Sequence, residues 1–369
     1  MLVAKICLTG GPCAGKTSAL STIEQKLSDM GYKVFIIDEI ATRLINAGIK
    51  PFGDDAIDMI DFEEMMLKHQ LVEEASFERT ANLLNKKCVI ICDRGIFDIK
   101  SFISNKDFDK LLKKYNLSKI SLMDNYGMVV HMNTAAKGAE QFYTTDNNKA
   151  RSEGIKDAIL RDDKCQEAWS FHGNLKIIDN STNFNDKIKK VVDSIKDYLG
   201  IEIRNEKKYL IEMNNNVYEM LKTDECVKVG IKQTYLKTND NYEMRLRKRT
   251  LDGDSTYYVT VKKDYKGNEK IVTEEKISKK TYERLLQQRE IVNEVEKERL
   301  CFVHDNHLFK IDVFSCGACI LEADEKANVP EFINVIKDVS LDENYKNKNI
   351  KIKEGKNDLC KRRKRLKKI

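Results

Sequence analysis

Nowhere in the 369 residues does an apolar run approach the ~18 residues of a membrane span, and no transmembrane segment is expected. No secretory leader is recognisable either, because the aliphatic run "VAKICL" starts at Val3. The ten cysteines follow no regular spacing, which excludes a disulfide framework and points to free thiols in a reducing interior. The single C-x-x-C, Cys316 to Cys319, lacks the second pair that zinc needs and opens no βαβ unit, so it reads as incidental. The five histidines are scattered without metal-ligand spacing. These absences leave a cytoplasmic protein whose chemistry must be sought elsewhere.

What is abundant is charge. Hydrophobic residues make up 41% of the chain, enough for the two cores that this length suggests, but 34% of the residues are charged. The net charge of +6 is unevenly spread: Lys348 to Ile369 holds 11 Lys/Arg against Glu354 and Asp358, a balance of +9, which leaves about −3 for the rest. The pattern predicts an amino-terminal domain over 1–200, a second domain over 201–350 and a basic, disordered tail over 351–369.

Over 1–200, the aliphatic runs "VAKICLTG", "KVFIIDE", "KCVIICDRG", "GMVVHMN" and "LKIIDNST" alternate with amphipathic stretches at 16–29, 56–84 and 183–199. Continuous apolar strands separated by helices predict an α/β fold, a parallel sheet covered by helices on both faces, with ligands at the carboxyl ends of the strands. Gly10 to Thr17 fit G-x-x-x-x-G-K-[ST] between a strand and a helix. In such a loop (Gly10, Gly11, Pro12, Cys13, Ala14, Gly15, Lys16, Thr17, Ser18), backbone N–H groups converge on phosphate oxygens and the helix start adds positive partial charge. Lys16 would reach the β and γ phosphates and Thr17 would ligate Mg²⁺ or Mn²⁺.

Asp93 follows "CVIIC", where an acid would hold the metal, with Arg94 and Asp98 beside it; a helix cap is the bland alternative. Glu39 and Arg43 would meet the acceptor or the attacking water, or simply begin a solvated helix. Arg151 and Arg161 lie in a charged stretch that would close over the phosphates, and Asn180, with Ser181 and Thr182, would border the base.

This half resembles the P-loop family related to nicotinamide riboside kinases, often described as an AAA-type ATPase domain. The features that carry the resemblance are "GGPCAGKTS", "DEIATR", "CDRG" with Asp98, and "FYTTDNNKAR". The last segment is similar to its counterpart in eukaryotic proteins of the TRPL translocation defect family, in which a second domain follows. The resemblance implies ATP or GTP binding with NTP hydrolysis, or phosphoryl transfer to a small acceptor, as in a P-loop NTPase or small-molecule kinase.

After Gly200 long alternating strands appear. Glu243, Arg245, Arg247 and Arg249 share one face in "YEMRLRKR", and the same alternation recurs in "YYVTVKK", "VEKERL", "FKIDVF" and "ILEADE". Turned inward on a closed barrel, cations ~6 Å apart would repel by about 3 kcal/mol per pair at an effective dielectric near 20, and a polyanion would relieve that repulsion. The series "NEKKYLI", "QTYL", "EMRLRKR", "VTVKK", "VEKERL", "KIDVF", "LEADE" and "YKNK" resembles the CYTH, or triphosphate tunnel, family over about 204–350.

The resemblance implies an α+β antiparallel barrel. Lys208, Arg245, Arg247, Lys262, Lys297, Arg299 and Lys346 would bind polyphosphate, Asp312 would lie in the tunnel, and Glu206, Glu322 and Asp324 would keep a metal. The family's opening E-x-E-x-K falls on Arg204, Glu206 and Lys208, and its acidic pair is reduced to Glu274 with Val272, so negative charge is lost from the metal side. That favours binding over hydrolysis. The alternatives to an active P-loop enzyme are a nucleotide-switched regulatory protein that binds a phosphoinositide without turnover, and a tunnel-domain triphosphatase. Expected partners are ATP or GTP and a phosphorylated small molecule, tripolyphosphate or phosphoinositide. The tail "KEGKNDLCKRRKRLKKI", without a C-a-a-X ending, would solubilise the chain, direct nuclear import, attach it peripherally to anionic membranes or touch nucleic acid.

Overall fold

The computed structural model describes residues 3–143, 154–200, 206–220, 226–238, 242–264 and 270–350. The chain forms two compact units, one of Met1–Ser118 with Leu122–Arg204 and the other of Lys119–Ser121 with Asn205–Ile369. The basic tail, Arg151 and Arg204 lie outside the described residues.

Each aliphatic run of the first half forms a strand: β1 (Val3–Thr9), β2 (Lys33–Ile37), β3 (Cys88–Asp93), β4 (Met128–Met132) and β5 (Leu175–Ile178). Between and after them come α1 (Lys16–Asp29), α2 (Ile40–Asn46), α3 (Met59–Leu83), α4 (Asn105–Lys114), α5 (Lys119–Met123), α6 (Ile155–Trp169) and α7 (Phe184–Tyr198). The strands pair in parallel in the order β2-β3-β1-β4-β5. Alternate residues of β1 serve opposite faces. Ala4, Ile6 and Leu8 pack into a core with Leu20, Ile23 and Leu27 of α1 and Ile188, Val191 and Ile195 of α7. Lys5, on the other face, is ion-paired with Glu74 of α3 at 2.6 Å, so helices cover both faces. Because β1 is central, its carboxyl end opens between the ends of β3 and β4, where a doubly covered parallel sheet receives its ligand.

The second unit holds β6 (Glu206–Ile211), α8 (Asn215–Met220), β7 (Val227–Leu236), β8 (Tyr242–Leu251), β9 (Asp254–Asp264), β10 (Lys270–Ile277), α9 (Lys279–Gln288), β11 (Ile291–His304), β12 (His307–Phe314), β13 (Cys319–Asp324) and β14 (Val335–Asp338). Its nine strands run β10-β9-β8-β7-β11-β12-β13-β6-β14, antiparallel throughout. Among the described residues no ladder joins β10 to β14, so the pairing is that of an antiparallel sheet where the sequence suggested a closed barrel.

The predicted alternation holds strand by strand. Met244 and Leu246 of β8 pack with Tyr282 of α9, and their neighbours Arg245 and Arg247 lie on the opposite face. On β11 the charged residues Lys297 and Arg299 share a face with the buried Val295 and Cys301, while Glu294, Glu296 and Glu298 face outward. No described helix is long and apolar enough to cross a membrane.

Candidate functional site

In the first unit, the chain leaves β1 at Thr9 and turns through Gly10 to Gly15 into α1. A Cβ at Gly10 would lie 2.1 Å from the carbonyl oxygen of Met132, and Gly15 has a φ of 87° that side chains disfavour. The turn therefore requires glycine at both ends of the loop. Gly15 caps α1 without a side-chain hydrogen bond, and the first turn contains no acid, so the helix start keeps its anion-attracting character. Lys16 is buried, with Nζ 3.5 Å from the Gly10 carbonyl oxygen, whereas Thr17 and Ser18 are exposed.

Two buried side chains that the motif does not contain hold this loop. The Gly11 N–H donates to Oδ1 of Asp162 on α6 at 2.7 Å, and the same oxygen accepts from the Thr134 N–H at 3.1 Å and lies 3.1 Å from His131 Nε2. Lys137 approaches the other carboxylate oxygen at 2.7 Å. Burial works against ionising Asp162, but the opposing field of His131 and Lys137 holds its carboxyl well below the ordinary range. Lys187 of α7 donates to the Ala14 carbonyl at 3.1 Å, the Asn133 carbonyl at 2.7 Å and Asn180 Oδ1 at 2.7 Å. Its burial lowers the ammonium pKa to about 8. The Thr134 hydroxyl donates to the carbonyl of Pro12, and Cys13 adopts a φ of 55°.

At the end of β3, Asp93 is buried, and its Oδ1 has no hydrogen-bond partner. Burial raises its pKa to about 6, and the nearby Lys16 charge opposes the shift. A buried carboxylate oxygen with no donor, beside a loop shaped for phosphate, fits a hard divalent cation such as Mg²⁺. Asp98 accepts from the Thr9 hydroxyl and, at 2.8 Å, from the Gly95 N–H. Glu39 pairs with Arg94; although burial pushes its carboxyl upward, Arg94 and Lys16 pull it down to about 2. Arg43 is turned to Glu73 instead.

Other predicted residues have structural engagements. Arg161 donates to the Ser101 carbonyl at 2.9 Å and lies over the Phe102 ring at 4.2 Å. Asn180 donates to the carbonyls of Thr134 and Lys137, each at 2.7 Å, so its side chain ties loops together. Sequence reasoning missed Asp162, Lys187 and Glu63, yet each carries one signal: a charge set in the apolar register of its helix. Asp162 shares the buried face of α6 with Ala158, Cys165 and Trp169, Lys187 that of α7 with Ile188 and Val191, and Glu63 that of α3 with Phe62, Met66 and Leu67.

In the second unit, a cavity of about 190 Å³ is lined by Lys208, Gln233, Arg245, Arg247, Lys297, Arg299 and Glu322, with Ile231 and Asn347. Five predicted cations from β6, β8 and β11 therefore converge. Three carboxylates accompany them. Asp312 takes a two-pronged hydrogen bond from Arg299, 2.7 Å on each side, and pairs with Lys297. Glu322 bridges Arg299 at 2.6 Å and Lys208 at 2.9 Å. Glu274 accepts from Arg247 at 2.7 Å. Burial lowers Lys297 to about 8 even with Asp312 beside it. The Nε atoms of Arg245 and Arg247 and Oε1 of Gln233 are buried without partners.

The remaining predicted residues do not line this cavity. Lys262 faces Glu243 at 3.9 Å, Lys346 pairs with Glu343, and Glu206 faces Lys310 at 3.3 Å. Asp324 stands opposite Glu206 in the β13–β6 ladder. The expected metal set of Glu206, Glu322 and Asp324 does not gather, because Glu322 is drawn into the ion pairs of the cavity. Among the described residues no group of three or more His, Cys, Asp or Glu is placed to hold a metal.

Residues 5–187 match the AAA domain family model, and this half of the chain is an AAA-type P-loop domain. Among solved structures, the chain is similar to the NadR protein in complex with NAD and AMP-PNP, with 13% identity, 55% of this chain and 51% of that chain covered, and a TM-score of 0.38. It is also similar to thymidylate kinase from Ehrlichia chaffeensis, with 14% identity, coverage of 52% and 98%, and a TM-score of 0.37. For the PH1012 protein from Pyrococcus horikoshii OT3 the identity is 15%, the coverage 35% and 82%, and the TM-score 0.26. No curated protein matches the chain.

Proposed function

We propose that the amino-terminal unit binds ATP or GTP with Mg²⁺ and either hydrolyses it or passes its γ-phosphoryl group to a small acceptor. The observation that carries this reading is the partnerless, buried Asp93 oxygen beside Lys16 at the mouth of a glycine-shaped loop. The loop N–H groups and the start of α1 would bind phosphate oxygens, and Lys16 would offset charge on the transferring group. Thr17 and Asp93 would hold Mg²⁺, which when bound neutralises phosphate charge.

Asp162 and Lys187 would act through the loop, keeping its backbone shaped before the nucleotide arrives. Arg161 would have to leave the Ser101 carbonyl to meet the phosphates, with Arg151 as its partner in a lid. Glu39, held ionised by Arg94 and Lys16, would hydrogen-bond the acceptor or the attacking water and orient it, its lowered pKa making it a poor proton acceptor. The test is equilibrium binding of Mg-ATP and Mg-GTP, with phosphate release, in the unaltered chain and in Lys16→Ala and Asp93→Asn. Lys16→Ala should abolish binding, and Asp93→Asn should remove its dependence on Mg²⁺. Unchanged binding in both variants would refute the reading.

A second reading concerns the other unit. The buried, acceptorless Nε atoms of Arg245 and Arg247 favour an anion in the cavity, in keeping with the CYTH resemblance over 204–350. A cavity of about 190 Å³ suits a short phosphate chain such as tripolyphosphate, or the phosphate groups of a phosphoinositide headgroup. Binding rather than hydrolysis is favoured, since Glu322 is occupied by cations and, among the described residues, no acidic cluster is left to position a metal.

A further inference from the structure

The anion pocket contains carboxylates as well as cations, and they are not equivalent. Glu322 in the wall and Asp312 behind it are 8% and 1% exposed, and each bridges two cations, so both are fixed in place. Glu274 differs in its place and its exposure. It lies on β10, which pairs only with β9 among the described strands, and its side chain is 35% exposed. Its Oε1 accepts from Arg247 Nη2 at 2.7 Å. Its Oε2 accepts from the Thr260 hydroxyl at 2.8 Å and lies 3.5 Å from Arg245 Nη2. One carboxylate thus spans the two guanidinium groups whose Nε atoms have no acceptor.

We propose that Glu274 is a built-in competitor for the anion pocket: its carboxylate holds the Arg245 and Arg247 pair in the empty protein, and an incoming phosphate chain displaces it. The inference rests on the reading of this cavity as a polyphosphate site. The exchange is physically direct, because both carboxylate and phosphate oxygens accept from a guanidinium fork, and the phosphate chain brings more charge. Arg247 stays in place when the carboxylate leaves, because its guanidinium lies over the Tyr258 ring at 4.9 Å. The displaced carboxylate, already a third exposed, needs only a side-chain rotation to reach water. Glu274 also keeps Arg245 and Arg247, directly adjacent on the same strand face, from repelling each other while no ligand is bound. The pocket is therefore selective against singly charged anions, which cannot repay the loss of this contact.

The test is calorimetric titration of inorganic tripolyphosphate into the full chain and its variants, in EDTA and in Mg²⁺, with thermal unfolding recorded for each protein. Glu274→Gln keeps the shape and removes the charge. It should tighten binding by about tenfold, the size of one partly exposed ion pair, equally with and without Mg²⁺. In the Arg247→Ala background that gain should vanish, since the competitor then has no fork to occupy. Thr260→Val, which removes the hydroxyl anchoring Oε2, should give a smaller gain of about two- to threefold and serves if Glu274→Gln does not fold. Equal affinity of the unaltered and Glu274→Gln proteins, with binding weakened in Arg247→Ala, would overturn the inference and leave the pocket reading intact. Weaker binding of Glu274→Gln in Mg²⁺ alone would make Glu274 a metal ligand and overturn it too. No binding by any protein would overturn both.

Discussion

Glu63 lies on the buried face of α3, and burial pushes its carboxyl up to about 8 against the opposing fields of Arg94 and Arg161. A carboxyl that stays protonated in the folded chain but ionises near 4.5 in the unfolded one makes the folded state bind the extra proton. Its contribution therefore falls as pH rises from about 4.5 to about 8 and is level above that. Glu63→Gln, which imitates the protonated form, should leave the melting temperature near that of the unaltered chain at pH 4.5. At pH 8 it should stabilise by about 4 kcal/mol. Thermal melts across that range read the difference directly, and a gain equal at both pH values would show that the carboxyl is not protonated by burial.

Lys187 argues a different point at the same scale. It donates three hydrogen bonds from within an apolar face, so Lys187→Met should destabilise by about 2–4 kcal/mol, because the carbonyls of Ala14 and Asn133 are left without donors. Urea unfolding measures this. The same variant should weaken nucleotide binding more than stability alone explains, since Ala14 belongs to the loop.

Elements are where sequence reading and structure agree most closely. The five aliphatic runs became five parallel strands because an uninterrupted apolar strand has to be covered on both faces, a property written in the residues themselves. The loop between β1 and α1 was equally legible, since its glycines answer to local geometry, such as the 2.1 Å approach at Gly10. What holds the loop was not legible from the motif. Asp162 comes from a helix 151 positions along the chain from Gly11, and Lys187 lies 173 positions from Ala14, distances that only the folded sheet collapses.

In the second unit, alternation placed Lys297 and Arg299 on one face correctly, but it could not say which charges would pair. Lys262 and Lys346, alike in the sequence, are held by Glu243 and Glu343, while Glu322 entered the cation network instead of a metal set. Helix ends offer a check at this scale. The Asn183 side chain accepts from the Asp186 N–H at 3.0 Å and begins α7, which carries Lys187. Asn183→Ala should lower stability by about 1 kcal/mol in a urea titration and, by loosening the α7 start, reduce Mg-ATP affinity modestly. A variant as stable as the parent would show that the cap adds nothing to this helix.

Across the whole molecule, the proposed reading gives one chain two differently built places for anionic oxygen. In the first unit, backbone amides and a helix start would do the work, with Lys16 and an aspartate whose Oδ1 has no hydrogen-bond partner beside them. In the second, side chains of several strands would do it, with carboxylates placed among the cations to limit their repulsion. The difference predicts unequal responses to salt. Binding in the second pocket, built from five side-chain charges, should weaken steeply between 50 and 300 mM KCl, and that of Mg-ATP at the loop should weaken less.

The most direct measurement is a pair of titrations, Mg-ATP and tripolyphosphate, on the unaltered chain, Lys16→Ala and Arg247→Ala. Lys16→Ala should lose Mg-ATP by at least ~100-fold and keep tripolyphosphate, and Arg247→Ala should do the reverse with a loss of about tenfold. If either substitution removed both ligands equally, or if neither changed the affinity of any ligand, two independent phosphate sites would be the wrong description of this protein.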